Sequence, residues 1–395
     1  GVLAPCRPWE YIHIPGERLA ARDGEYHLQV TEELWEAAYF DEIRLLAVDH
    51  PAEVDIFSNE KVGPPDIAAH KIHTVRGRRY PVAASDATGS DVLGVIRKRD
   101  EVYLKPFQKQ LRKGLTEKHH LELDLGDLDD PRQVTLFLTG WINPTDTSLN
   151  IAIDQDPGLE APQPPSVWVP DRNGEWREAI GYMGFPGGKT KTIAVDLSNA
   201  FLCDDYRLRI VTSNELYWDE IFFTADEEPA ETRVTTLELM SANLHHRGYS
   251  RRLDRPNNAP KHYEYSDLET SPRWPPMRGT FTRFGEVREL LVESDDLMVV
   301  MAAGDEMTLR FKVPEGAPPE GWQRDFLLYN VGWDKDADLN TVWGQTVEPL
   351  PYRAMRRYPP DSDESYPDSP RHRQYINEYQ TRELDWSEFW RHLSE

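Results

Sequence analysis

The sequence predicts an all-β fold: antiparallel, jelly-roll-like β-sandwich domains joined by Pro-rich connecting segments, with few short helices. Three observations carry this expectation. Apolar and polar residues alternate with period two in segment after segment. Turn residues punctuate those segments. Few stretches show the 3.6-residue apolar repeat of a helix, which argues against alternating strand–helix units.

In chain order, strands are expected at 25–30, 42–48, 53–57, 119–125, 133–141, 148–153, 191–197, 206–212 and 220–225. "RDG" (22–24), "SNEK" (58–61), "VGPP" (62–65), "DRNG" (171–174) and "FPGG" (185–188) separate them. Three more strands follow at 297–303, 306–313 and 324–333. Helices are expected at 31–40 ("TEELWEAAYF", with Thr31 as N-cap), 92–100 and 384–393. Residues 241–280, rich in Pro, Arg, Tyr and Asn, read as an extended cover or linker, and 359–375 as loop. With 395 residues the chain exceeds one hydrophobic core. Four consecutive parts are expected: a β unit over 1–75, a jelly-roll-like sandwich over 76–231, an extended overlay over 232–280, and a β unit with an irregular tail over 281–395.

One phrase is written twice. "YFDEIRLLAVDHPAE" (39–53) and "YWDEIFFTADEEPAE" (217–231) agree at eight of fifteen positions. The reading is two related sandwich units, each closing on this strand, with the aromatic and Ile inside and the acids facing out or capping a loop. Chance likeness between two amphipathic strands is the plainer alternative.

Charge excludes some partners. With 45 basic and 69 acidic residues the net charge is −24, which repels nucleic acid and anionic membranes. Two basic patches, 71–80 and 97–113, read first as solvated faces or clamps on the acidic remainder, and second as docking points for an acidic partner. Only Cys6 and Cys203 occur, enough for one bridge that the sequence does not decide and for no cysteine-based metal site. The longest clean apolar run, 297–303, is too short to span a bilayer, so no transmembrane segment is expected. The opening "GVLAPCRPWEYIHIPG" lacks Met and a signal peptide, and reads as a processed or partial chain.

Candidate chemistry is sparse. In "GWDKDADLN" (332–340), Asp334, Asp336, Asp338 and Asn340 alternate as in a loop that aims oxygens at Ca²⁺, although Leu339 and Gln345 stand where such a loop wants Gly and Glu. A solvated acidic turn that caps backbone amides is the plainer reading. "FPGGKTKT" (185–192) lacks the spacing and the following helix of a phosphate loop, so no nucleotide is expected. No His-Glu-x-x-His, haem-attachment or Gly-x-Ser-x-Gly motif is present. With 69 acids, carboxylate pairs for a glycosidase are too numerous to choose among. Trp141, Trp168, Trp176 and Trp218 fall in or beside the middle sandwich, where rings either stack on sugars or fill the core. The loop "GWINPTDTSLN" joins Trp141 to Asn143, Asp146 and Asn150 as the best candidate for a ligand rim.

"WEAAYFDEIRLLAVDHPAEVDIFSNEK", "LFLTGWINPTDTSLNIAI", "FPGGKTKTIAVDL", "LRIVTSNELYWDEI" and "RDFLLYNVGWDKDADLNTVWGQTVEPLP" resemble the C-terminal region of large secreted bacterial proteins. Those proteins carry FG-GAP propeller repeats and an ASPIC/UnbV segment, akin to cartilage acidic protein. The resemblance covers most of positions 9–352. It implies export, an upstream propeller region, a β-rich scaffold and a role in adhesion or assembly at the cell surface, and it names no catalytic residue. The expected function is a non-catalytic extracellular binding or scaffold protein contacting a glycan or protein partner, with structural Ca²⁺ at 334–340. A polysaccharide-acting enzyme with a carboxylate pair is the alternative. A structural subunit of a cell-surface filament or redox assembly, itself without haem, is a third.

Overall fold

The computed structural model describes residues 9–64 and 66–394. Cys6 lies outside them; Cys203 is a half-buried thiol. The chain runs through β1 (Trp9–Ile14), β2 (Glu25–Thr31), β3 (Glu36–Pro51), β4 (Asp55–Ser58), β5 (Ile72–Val75), β6 (Ala83–Asp86), α1 (Leu93–Ile96), β7 (Gln110–Arg112), β8 (Leu115–Asp124) and β9 (Val134–Ile142). Next come α2 (Thr147–Gln155), β10 (Ser166–Pro170), β11 (Trp176–Ile180), β12 (Lys191–Asp196), β13 (Arg207–Asn214) and β14 (Leu216–Ala225). Then follow β15 (Arg233–Leu237), β16 (Leu239–His246), β17 (Tyr249–Leu253), β18 (His262–Glu269), β19 (Gly279–Thr282), β20 (Gly285–Glu286), β21 (Val299–Ala302), β22 (Asp305–Lys312), β23 (Trp322–Asp336), α3 (Pro370–Glu378), β24 (Gln380–Leu384) and α4 (Ser387–Ser394). The fold is all-β and its sheets are antiparallel, as the alternation requires. No helix among the described residues is long and apolar enough to cross a membrane.

Two compact units emerge, and they interleave in sequence. Unit 2 holds Pro51–Glu231 and Asp254–His262; unit 1 holds the described residues up to His50, Thr232–Leu253, and those from Tyr263 on. The boundaries expected at 75 and 280 therefore fall inside units. In unit 2, sheet β11-β10-β13-β8-β6 faces sheet β12-β9-β14 across a core that includes Leu121, Leu136, Ile193, Leu208 and Trp218. In unit 1, sheet β1-β23-β3-β15 faces sheet β2-β22-β16-β20 around Tyr39, Leu45, Phe311 and Phe326.

Four local expectations are corrected. Residues 148–153 form helix α2, not a strand: none of its side chains is buried, and Asp146 caps it by accepting from Leu149 N at 2.9 Å. Residues 36–40 open strand β3 instead of ending a helix, because Ala37, Ala38 and Tyr39 are buried in succession and packing overrides propensity. The overlay at 232–280 carries β15 to β18 and the start of β19. The tail at 359–375 includes the start of α3, where Ser369 is the N-cap and Pro370 occupies the first turn.

The doubled phrase marks a whole duplicated unit. β3 pairs with β23 as β14 pairs with β9. Gly332 and Gly140, each followed by Trp, lie so close that a Cβ would meet Tyr39 O at 2.0 Å and Tyr217 O at 2.2 Å. Asp41 Oδ1 accepts the amides of Asp295 and Asp296 at 3.1 and 2.9 Å. Asp219 Oδ1 likewise accepts those of Asp100 and Glu101 at 3.2 and 3.1 Å. Asp296 and Glu101 both take positive φ, 69° and 63°. Val287 N donates to Ala242 O as Val92 N does to Ala84 O. Leu237 sits opposite Leu45 as Arg79 sits opposite Phe223. Strands β1, β2, β3, β16, β22 and β23 thus answer to β12, β13, β14, β6, β8 and β9. One unit is a circular permutation of the other.

Candidate functional site

The sequence-derived rim is built mostly to hold itself. Trp141, at the end of β9, stacks on Tyr217 with centroids 4.7 Å apart and donates from Nε1 to Asn258 O at 2.9 Å. Asn143 Nδ2 donates to Glu215 at 3.1 Å. Glu215 is buried and also accepts from Gln110 Nε2, Gly114 N and the Tyr217 hydroxyl at 2.7, 3.0 and 2.7 Å. Burial and that carboxylate push the Tyr217 hydroxyl well above its usual range. Asp146 is the cap of α2, and Asn150 Oδ1 accepts the Thr145 hydroxyl at 2.8 Å.

The acidic run is split between a strand and the turn after it. Asp334 and Asp336 sit on β23 on either side of buried Lys335, whose Nζ donates to the carbonyls of Thr346, Val347 and Glu348 at 2.6, 3.3 and 3.2 Å. Burial brings the Lys335 ammonium down to about 7 against the pull of Glu348. Asp338 Oδ1 accepts Asn340 N at 2.8 Å, as the capping reading expects. Nearby, burial and the Asp334 charge hold the Glu32 and Glu36 carboxyls well above the usual range. No group of three or more His, Cys, Asp or Glu among the described residues is placed to hold a metal ion.

The basic patch at 71–80 acts as a clamp. Arg78 spans the carboxylate of buried Glu220 at 2.9 and 2.8 Å and also reaches Asp55, while the Tyr80 hydroxyl donates to Glu220 at 2.8 Å. Such a carboxylate needs its partners, because a lone buried charge is costly.

A more open arrangement lies on the outer face of β11-β10-β13-β8-β6. Cross-strand register lines up Glu178, Trp168, Arg209, Glu122 and Ser85 in one row. Directly opposed residues share a face, so these five point away from the core that Val167, Leu208 and Leu121 enter. Trp176 joins them: the Arg209 guanidinium lies 4.0 Å from its ring centroid and pairs with Glu122 at 2.8 Å. The next row, Arg207 opposite Asp124, leads to a cleft of about 870 Å³ lined by Asp124, Asp127, Asp129, Asp130, Asp204, Asp205 and Tyr206. "SVWVP" and "EWREAI" carried the signal for this hairpin, since Trp168 falls between two buried valines. Compared with family models and with curated proteins, the chain matches none.

Proposed function

We propose that the protein is a non-catalytic extracellular binding or scaffold protein that holds a glycan or protein partner on its β-sandwich surface. What supports this reading is the use made of the deep ionisable groups. Asp41, Asp219 and Lys335 each hold loop backbone, Glu215, between β13 and β14, ties two loops to the start of β14, and Glu220 is clamped by Arg78. A catalytic acid or base needs its shifted pKa at an opening that a substrate reaches; the carboxyls of Asp41 and Asp219 are instead fully enclosed. The extracellular setting rests on the family resemblance. The test is affinity electrophoresis of the full chain in polysaccharide gels, with a reducing-end assay on the same mixtures. Retardation without new reducing ends is expected. Release of reducing ends that stops when one aspartate or glutamate is replaced would overturn the reading.

A further inference from the structure

We propose that the outer face of β10, β11, β13 and β8 binds a neutral polysaccharide strand, with Trp168 and Trp176 as its stacking platform. This rests on the binding-protein reading above and names the ligand class and the face.

The duplication supplies an internal control. Arg209 and Glu122 are opposed on β13 and β8; Gln29 and Thr308 are the equivalent opposed pair on β2 and β22. In unit 1, β2 is the edge of its sheet, whereas in unit 2 the hairpin β10–β11 is added beyond β13. The sandwich therefore closes without this hairpin, and the fold does not demand its two indoles. Both remain only half-buried. Residues that architecture does not require, and that leave large rings in water, mark a recognition surface.

The polar groups beside the rings set the ligand class. Trp176 is held by Arg209, itself paired with Glu122, and Arg207 is paired with Asp205 at 2.9 Å. Trp168 is fixed by its Nε1 donating to Ser166 Oγ at 3.0 Å. The cations of this face are matched by carboxylates on the same face, and Glu178, Asp124 and the aspartates of the adjoining cleft add further negative charge. Among the described residues it therefore presents oriented donors and acceptors with no free cation to hold an anionic sugar. A pyranose offers the complement: an apolar C–H face for an indole and a rim of hydroxyls for paired guanidinium and carboxylate groups. A polyuronate is repelled by a chain of net charge −24.

The experiment uses the full chain, with cellohexaose, mannohexaose and xylohexaose as neutral probes and hexagalacturonate as the charged one, titrated by calorimetry. Trp168→Ala and Trp176→Ala are compared with Trp168→Phe and Trp176→Phe, which keep a ring, and with Gln29→Ala on the equivalent face of unit 1. Wild type is expected to bind a neutral hexasaccharide. Each alanine variant is expected to weaken binding at least tenfold, about 1.4 kcal/mol, with phenylalanine restoring part of it and Gln29→Ala changing nothing. Binding that survives both alanine changes refutes this face while leaving the binding-protein reading intact. Preference for hexagalacturonate refutes the neutral class. Failure to bind any probe at millimolar concentration refutes the glycan ligand, and leaves only a protein partner for the broader reading.

Discussion

Replacing Asp219 by Asn is expected to stabilise the protein at neutral pH relative to acid, for a reason legible atom by atom. Asp219 Oδ1 accepts two amides, and an amide oxygen can take over both. Oδ2 is buried with no hydrogen-bond partner. Burial raises the carboxyl from 3.8 to about 6, with the Asp100 and Glu101 amides opposing the shift. A carboxyl whose folded pKa lies above its unfolded value favours the folded state most when protonated. Stability from this group is therefore present below about pH 4 and is lost as pH rises towards 6. A shift of about 2 units at about 1.4 kcal/mol per unit sets a ceiling near 3 kcal/mol. Urea unfolding of wild type and Asp219→Asn, followed by tryptophan fluorescence between pH 4.5 and 7.5, reads the difference directly. The variant's advantage should grow by about 2 kcal/mol over that range, on top of a pH-independent cost for the new amide N–H groups. A difference that is flat with pH, or that grows towards acid, refutes the reasoning.

The duplicate makes the companion experiment: Asp41, also raised to about 6 by burial, should show the same slope in Asp41→Asn. Its constant cost should be larger, because the Ser294 hydroxyl donating to Oδ2 must turn round. Gly140→Ala and Gly332→Ala should each destabilise by about 3 kcal/mol or more, read as loss of soluble protein or a lowered Tm, since the new methyl collides with a backbone carbonyl. Arg78→Met leaves Glu220 buried without its cation and should cost about 3 kcal/mol in the same melts. Asp325, held well below its usual range despite burial by hydrogen bonds from His13 and Gly16, with His50 close beside it, contributes stability above pH 4 that is lost on acidification. Asp325→Asn should therefore be more harmful at pH 7 than at pH 3, the difference being read in the same urea series.

The sheets were legible wherever one face is buried and the other wet, because the alternation then records the pleat itself. Strands 119–125 and 206–212 are of that kind. The doubled phrase disclosed two related units, yet their equivalence could not be followed further by eye. The rotated chain order hides it, and the matching pieces are held in common by geometry: an enclosed aspartate, a glycine under a carbonyl, a positive φ. Residues 31–40 misled because consecutive buried residues, Ala37 to Tyr39, erase the period of two. At 148–153, alternation was real but nothing covers the segment, so the Asp146 cap decides. Of the rim, sequence does not reveal that Asn258 O takes the Trp141 N–H and Glu215 the Asn143 amide. Trp168 and Trp176 were seen as rings of uncertain facing; only the register across β10, β13 and β8 shows which way they point.

Because unit 2 is spelled inside unit 1, synthesis and folding run out of step. β1, β2 and β3 leave the ribosome well before β22 and β23, against which they pair and which end only at Lys312 and Asp336. At roughly 5–20 residues per second, that delay is about 15–60 s. Meanwhile Pro51–Glu231 already holds both sheets of unit 2 and can close. Strands β1 to β3 thus wait longest for shelter, and they stand open to other nascent copies until β22 and β23 are made.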